Sequence, residues 1–284
     1  MRLCCVQTKV FFSDHEANLD LVLSWLVQAS QHKAEFVIFP ECMLSGYGFE
    51  NRQEALGAAI QLGSGHLQRL SEACRRLGYL FIVIGFLEHV KDINGHDKLF
   101  NSSVIIGPQG IIGNYRKIHL PHLGVDRFVD RGDLGFPVYK VGDAFVGLGI
   151  CYDCSFPEPM RLLGLYGADL IAIPTNWPVS AAGTANLVPP VRAMENHLFF
   201  AASNRIGFER GFNYCGLSSI HGPDGIELAK AKSDEECLLF ADIDVEQARC
   251  KRIERTFGCH IIDRFADRRP ELYGPISSLP PTRS

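Results

Sequence analysis

The stretch Leu99-Phe100-Asn101-Ser102-Ser103-Val104-Ile105-Ile106-Gly107-Pro108-Gln109-Gly110-Ile111-Ile112-Gly113-Asn114-Tyr115 decides the architecture. Its two apolar arms, 99–106 and 111–115, flank a Gly-Pro-Gln-Gly turn, so the segment reads as a β-hairpin. Hairpin strands pair antiparallel, which argues against an all-parallel, doubly wound sheet. Residues 139–141 and 144–150 read as a second strand pair. Strands over 214–220, 226–230 and 237–242 surround the turn Gly222-Pro223-Asp224-Gly225.

Helices and buried strands alternate around these pairs. A strand over 2–7 precedes Ser13-Asp14-His15-Glu16, which has capping-box spacing. Leu19, Val22, Leu23 and Leu26 then recur at helical intervals. The strand 35–39 stops at Pro40, and a helix over 65–77 puts Leu67, Leu70, Cys74 and Leu77 on one face. A strand over 80–85, a helix over 157–166, a strand over 169–173 and a helix over 191–198 follow. No low-complexity linker divides the chain. The expectation is one α/β domain over 1–262 with mixed sheets and outer helices, and an Arg-, Pro- and Ser-rich tail over 263–284 at the surface or in an oligomer contact.

Composition removes several function classes. The 284 residues are 46% apolar with a net charge of −4, an ordinary globular balance that points to neither nucleic acid nor a membrane surface. The longest apolar run, 80–87, falls far short of the about 20 residues that span a bilayer. Met1-Arg2-Leu3-Cys4-Cys5 has no signal-peptide core. The ten cysteines are diluted, and Cys4, Cys5, Cys215 and Cys237 sit in apolar surroundings, so reduced thiols and a cytoplasmic location are expected. Neither Gly-x-Gly-x-x-Gly nor Gly-x4-Gly-Lys-Ser/Thr occurs, which sets dinucleotide and nucleoside-triphosphate chemistry at long odds.

Three residues break the local pattern in one way: each stands just after a buried strand, where α/β sheets display functional groups. They are Glu41 in Phe39-Pro40-Glu41-Cys42, Lys117 in Tyr115-Arg116-Lys117-Ile118-His119, and Cys151 in Gly149-Ile150-Cys151-Tyr152-Asp153. Singly, each reads as a solvated charge or a packing thiol. Together, carboxylate, ammonium and thiol form a set for acyl transfer: a sulfur nucleophile, a general base and an oxyanion stabiliser. If Lys117 is adjacent, its charge lowers the thiol pKa. A rival reading takes Cys151-x-x-Cys154 as a redox or zinc motif, but there is no second Cys-x-x-Cys to complete a zinc site.

In these three segments the chain resembles the nitrilase superfamily, the carbon–nitrogen hydrolases. The likeness continues through Pro174-Thr175-Asn176-Trp177-Pro178, Arg192-Ala193-Met194-Glu195-Asn196, Asn204-Arg205-Ile206-Gly207, Gly216-Leu217-Ser218, Gly222-Pro223-Asp224-Gly225 and Asp267-Arg268-Arg269-Pro270-Glu271-Leu272-Tyr273. The resemblance implies a four-layer α-β-β-α sandwich with two mixed sheets, no metal or other cofactor, and a homodimer or higher homo-oligomer. It implies Glu41 as base and acid, Lys117 as oxyanion stabiliser, Cys151 as nucleophile and the Tyr152 backbone N–H in the oxyanion hole. Tyr47, Asn176 and Trp177 are candidate pocket residues. Many members carry a second glutamate between the Lys and Cys segments. Residues 124–133 hold none, and Asp126 is the candidate replacement, against a bland reading as a turn aspartate paired to Arg127 or Arg131. Nitrile-cleaving members carry Cys-Trp-Glu, whereas Cys151-Tyr152-Asp153 is closer to the amidase and carbamoylase branches. The expectation is hydrolysis of a small linear amide or N-carbamoyl compound through a thioester. The alternatives are nitrile hydrolysis or an impaired binding or scaffold protein.

Overall fold

In the first strand, β1 (Arg2–Gln7), alternate side chains face opposite ways, as a strand requires. Leu3 and Cys5 join one apolar cluster while Cys4 and Val6 join another. The same division runs across the sheet to which β1 belongs. The computed structural model describes residues 1–78, 80–232 and 234–278. In it β1 lies parallel to β2 (Phe36–Ile38), which lies parallel to β3 (Phe81–Lys91). The long hairpin of β4 (Asp97–Gly107) and β5 (Gly110–Arg116) continues the sheet antiparallel from β3, and β14 (Cys237–Asp242) closes its other edge.

The second sheet repeats the design. β6 (Val138–Val141) and β7 (Ala144–Leu148) form a hairpin, then β8 (Leu170–Thr175) and β9 (Phe199–Asn204) run parallel to β7. β12 (Ser219–His221) and β13 (Glu227–Lys230) complete it antiparallel. A separate two-stranded ribbon, β10 (Ile206–Glu209) and β11 (Phe212–Cys215), follows β9. The strand expected over 214–220 is therefore two, because the chain leaves the ribbon at Gly216 and Leu217, both at positive φ, before re-entering the sheet.

The two clusters resolve the layers. On the outer face of the first sheet, Cys4, Val6, Val37, Ile82, Ile84, Val104 and Ile106 pack on α1 (His15–Gln31) through Leu19, Val22, Leu26 and Ala29. They also meet Leu67, Leu70 and Cys74 of α3 (Gly65–Arg76). Its inner face, Leu3, Cys5, Phe36, Ile38, Val83 and Ile105, shares one core with both the second sheet and its helices. Those helices are α4 (Pro157–Leu165) and α5 (Ala182–Asn196), contributing Met160, Leu163, Ala185 and Ala193. β8 is buried at every position, as a parallel strand covered on both faces must be. The result is the expected α-β-β-α sandwich. Each fully buried Leu or Ile in it contributes about 1.5–3 kcal/mol.

Local details depart from expectation for physical reasons. Asp14, not Ser13, caps α1, its Oδ1 accepting from Ala17 N–H at 3.0 Å, while Ser13 sits at φ 55°. α5 starts nine residues earlier than the 191–198 reading because it runs through Pro189 and Pro190. Prolines end isolated helices, but here Pro189 is one of the helix's buried residues. A short helix, α2 (Arg52–Gly57), leaves no apolar stripe to read.

The chain divides into two compact units, Met1–Arg249 and Cys250–Ser284. The first includes α6 (Val245–Arg249) and both sheets. The second contains a hairpin of β15 (Arg252–Thr256) and β16 (His260–Asp263), with short 3-10 turns after it.

Candidate active site

Glu41 is placed by stitching its loop to β3. Phe39 N–H donates to Val83 O at 2.8 Å, Gly85 N–H to Pro40 O at 3.3 Å and Leu44 N–H to Gly85 O at 3.3 Å. The approach demands glycine at 85: a Cβ there would stand 2.5 Å from Cys42 N and 2.7 Å from Glu41 Cα. A glycine inside a buried strand is the sequence signal of such a backbone contact. The Glu41 N–H reaches across to Thr175 O at the end of β8, at 3.4 Å, so the loop joins the two sheets at the site.

Lys117 leaves the end of β5, its N–H donating to Asn101 O at 2.8 Å and its carbonyl accepting from Gly132 N–H at 2.9 Å. The preceding Arg116 is anchored on buried Glu88 by two hydrogen bonds of 2.9 and 2.6 Å. Its guanidinium lies 4.1 Å over the Phe100 ring. The Lys117 ammonium is thereby aimed inward, and it is 1% exposed.

Its partners are two carboxylates. Nζ donates to Glu41 Oε1 at 2.7 Å and to Asp126 Oδ2 at 2.5 Å. Asp126 comes from a 3-10 turn, Gly124–Arg127, whose Gly124 has φ +48° and whose missing Cβ would collide with the Tyr47 ring at 2.1 Å. Tyr47 Oη lies 2.8 Å from Asp126 Oδ2 and 3.1 Å from Leu123 O, two acceptors for its one hydrogen. Arg127 instead bonds Gly124 O and Phe49 O, so the bland pairing of Asp126 with its neighbouring arginine is not what forms.

Cys151 begins a short 3-10 helix, Cys151–Ser155, immediately after β7 and Ile150. It has φ 45°, a strained conformation for a residue with a side chain, and it is 7% exposed. Asp153 locks this turn. Its Oδ2 accepts from Ile150 N–H at 2.9 Å and from Tyr115 Oη at 2.8 Å. Its Oδ1 accepts from His119 N–H at 3.1 Å and lies 2.7 Å from His119 Nδ1. One buried carboxylate thus ties the cysteine turn to the segment carrying Lys117. As the second residue of that helix, Tyr152 presents a first-turn N–H, which has no carbonyl partner inside the helix.

Electrostatics follow from burial. The Glu41 carboxyl is raised above its usual range, first by burial; the Lys117 ammonium pulls it back and the Asp126 charge pushes it up again. For Lys117 burial acts downward, yet Asp126 and Glu41 outweigh it and hold the ammonium well above its normal pKa. Burial pushes the Cys151 thiol well up, Glu41 adds to this, and Lys117 with the Asn176 backbone N–H opposes it. Lys117 acts on the thiol with the expected sign, but burial outweighs it and the net direction is upward. Glu41 Oε2 is buried with no hydrogen-bond partner among the described residues.

The expected pocket residues fare unevenly. Asn176 is buried, and neither its Oδ1 nor its Nδ2 finds a partner among the described residues. Trp177 packs into the inter-sheet core, its N–H donating to Asn204 Oδ1 at 2.9 Å. Sequence reasoning missed Asn101, Asp153 and a buried ion pair of Arg205 with Glu209 at 3.0 Å. Glu209 Oε1 accepts from the N–H groups of Tyr47 and Gly48, both at 2.8 Å, and so fixes the loop that presents Tyr47. A buried-looking charged residue on a strand, at 209, was the available signal.

Among known proteins, the family described as Carbon-nitrogen hydrolase matches residues 2–252. A protein named nitrilase from Pyrococcus abyssi is 36% identical over 96% of this chain and 99% of its own length. N-carbamoylputrescine amidase of Solanum tuberosum is 31% identical over 89% of this chain and 88% of its own. The solved structure of an amidase mutant from Nesterenkonia sp. AN1, with acrylamide added at its active-site cysteine, superposes with a TM-score of 0.76. That match is 24% identical and covers 96% of this chain and 98% of the other, a likeness of fold.

Proposed function

Because this chain belongs to the carbon–nitrogen hydrolase family, we propose that it hydrolyses the C–N bond of a small linear amide or N-carbamoyl compound through a thioester on Cys151. The observation that carries this reading is the buried Glu41–Lys117–Asp126 cluster, whose Glu41 and Lys117 act on the thiol at a strained strand end.

The steps use each group once per half-reaction. Glu41 Oε2 takes the thiol proton as sulfur attacks the carbonyl carbon. An ammonium has three hydrogens. Lys117 gives two to Glu41 and Asp126, and the third meets the developing oxyanion beside the Tyr152 N–H. Glu41 then passes its proton to the leaving nitrogen, the C–N bond breaks, and ammonia or an amine departs. Water, deprotonated by Glu41, adds to the thioester; the C–S bond breaks and the proton returns to sulfur. The acid product leaves with the enzyme restored.

The test is release of ammonia or amine from a panel of ω-amides, N-carbamoyl amines and aliphatic nitriles. The expected result is turnover of amides or carbamoyl compounds well above nitriles. Nitriles as the best substrates would transfer the chain to the chemistry in the name of its Pyrococcus relative. No turnover of any class would leave the scaffold reading standing.

The electrostatics give a second expected result. Asp126 raises the Glu41 pKa, so Asp126→Asn lets Glu41 stay anionic to lower pH. The acid limb of kcat/KM then moves down in pH, while the plateau falls about tenfold for the loss of one charge-assisted hydrogen bond on Lys117. A pH–rate profile from pH 4 to 9 measures both; an acid limb that stays put or rises removes Asp126 from the base's environment.

A further inference from the structure

We propose that Asn101, on β4, is a positioning residue for this reaction: its single NH2 group clamps Glu41 and Asp126 in register about Lys117 and keeps Glu41 an anion. The inference rests on the hydrolase reading above and deepens it. Asn101 Nδ2 donates one hydrogen to Glu41 Oε1 at 2.7 Å and the other to Asp126 Oδ1 at 2.8 Å. Its Oδ1 faces the Cys42 thiol, which donates to it at 3.5 Å. Its backbone carbonyl accepts the Lys117 N–H at 2.8 Å. One residue thus touches all three charged members of the cluster, two by side chain and one by main chain.

The arrangement has a chemical purpose. Glu41, Asp126 and Lys117 bring two carboxylates and one ammonium together in a buried cluster, so the two carboxylates repel. A neutral amide with two hydrogens on one nitrogen can satisfy both without adding charge. A second lysine would neutralise the base; a hydroxyl has only one hydrogen. By occupying Oε1 along with Lys117, Asn101 also leaves Oε2 as the carboxylate oxygen without a hydrogen-bond partner among the described residues. The other ionisable groups acting in this space are Cys42 and Tyr47 from the loop of Glu41, Cys151 after β7, Tyr214 on β11 and Glu209 on β10. None of them donates a hydrogen bond to Glu41 among the described residues.

The experiment compares pH–rate profiles of wild type, Asn101→Leu and Asn101→Asp, with circular dichroism as the folding control. Leucine removes both hydrogens, and aspartate at nearly the same size removes them and adds charge. In either variant the acid limb of kcat/KM is expected to move up by about one pH unit, the value of one hydrogen bond to a charged acceptor. KM should change little, and kcat at neutral pH should fall at least tenfold. This shift is opposite in sign to that of Asp126→Asn, which a merely structural loss would not produce. A folded variant with the wild-type acid limb overturns the proposal.

A measurement on unmodified enzyme stands beside it. With asparagine carboxamides labelled with nitrogen-15, one NH2 group should shift at both hydrogens in step with the acid limb. No carboxamide doing so overturns the proposal even if both variants misfold. Failure of the hydrolase reading looks different: Cys151→Ala would then keep wild-type turnover, whatever Asn101 does.

Discussion

Cys151→Ala is expected to abolish hydrolysis of the best amide or carbamoyl substrate while leaving a folded protein. The loss should be on the order of 10⁴-fold or more, because the proposed acyl intermediate forms on Cys151, and removal of a nucleophile disables the groups that serve it. Stability should change by only about 1 kcal/mol. Alanine at φ 45° is no more strained than cysteine, and the deletion removes a single buried sulfur. Two measurements check this together: product release at substrate saturation, and thermal unfolding by circular dichroism. Intact-protein mass spectrometry of quenched wild type adds a third, since an acyl adduct should appear there and be missing from the variant. Hydrolysis by folded Cys151→Ala at the wild-type rate would refute the nucleophile, and with it the thioester.

How this site could be read from sequence depends on what each residue does to the local pattern. Glu41, Lys117 and Cys151 stood out because each interrupts an apolar run where a strand ends, and the structure brings Glu41 and Lys117 into contact, with Cys151 in the field of both. Asn101 did not. It lies inside the hairpin stretch, and a polar residue among Asn101, Ser102 and Ser103 looks like an ordinary strand surface. Strand alternation puts Asn101 and Ser103 on the face of Ile105, which packs between the sheets, and only the fold shows that Asn101 meets Glu41 and Asp126 there. Asp153 was hidden for another reason: its partners, Tyr115 and His119, come from the other side of the fold. Gly85 was visible as a break in a buried strand, yet nothing in the sequence says which backbone it admits.

The thiol shows a local argument with the right sign and a larger opposing influence that the sequence does not display. A neighbouring ammonium does stabilise a thiolate, and Lys117 acts in that direction. Burial is the larger influence, however, and it cannot be judged until the residue's neighbours are known. On the proposed mechanism the first step then needs Glu41 as base, and the acid limb of kcat/KM is expected at the titration of a carboxyl held above the ordinary range, since protonated Glu41 cannot accept the thiol proton.

Lys117→Ala should be nearly as damaging as loss of the sulfur, and for two reasons that can be separated. Removing the oxyanion donor alone costs about 10²–10³ in kcat. The ammonium also holds two buried carboxylates apart from each other's full repulsion. Without it, the Glu41 pKa rises further, so less of the base is anionic at a given pH. KM should change little, because both effects fall on the reacting atoms rather than on ground-state binding. The same loss reaches stability, since breaking a buried ion pair by removing one partner costs about 3–5 kcal/mol. Its pH dependence has a definite sign. Glu41, its pKa raised further in the folded variant, binds a proton more readily folded than unfolded, so the variant gains stability relative to wild type as pH falls through that raised value. The gap in melting temperature between the two proteins should therefore narrow from pH 8 to pH 5. A gap constant across that range would mean that the carboxylates do not lean on Lys117 for their charge, and a defect confined to KM would remove the lysine from the oxyanion.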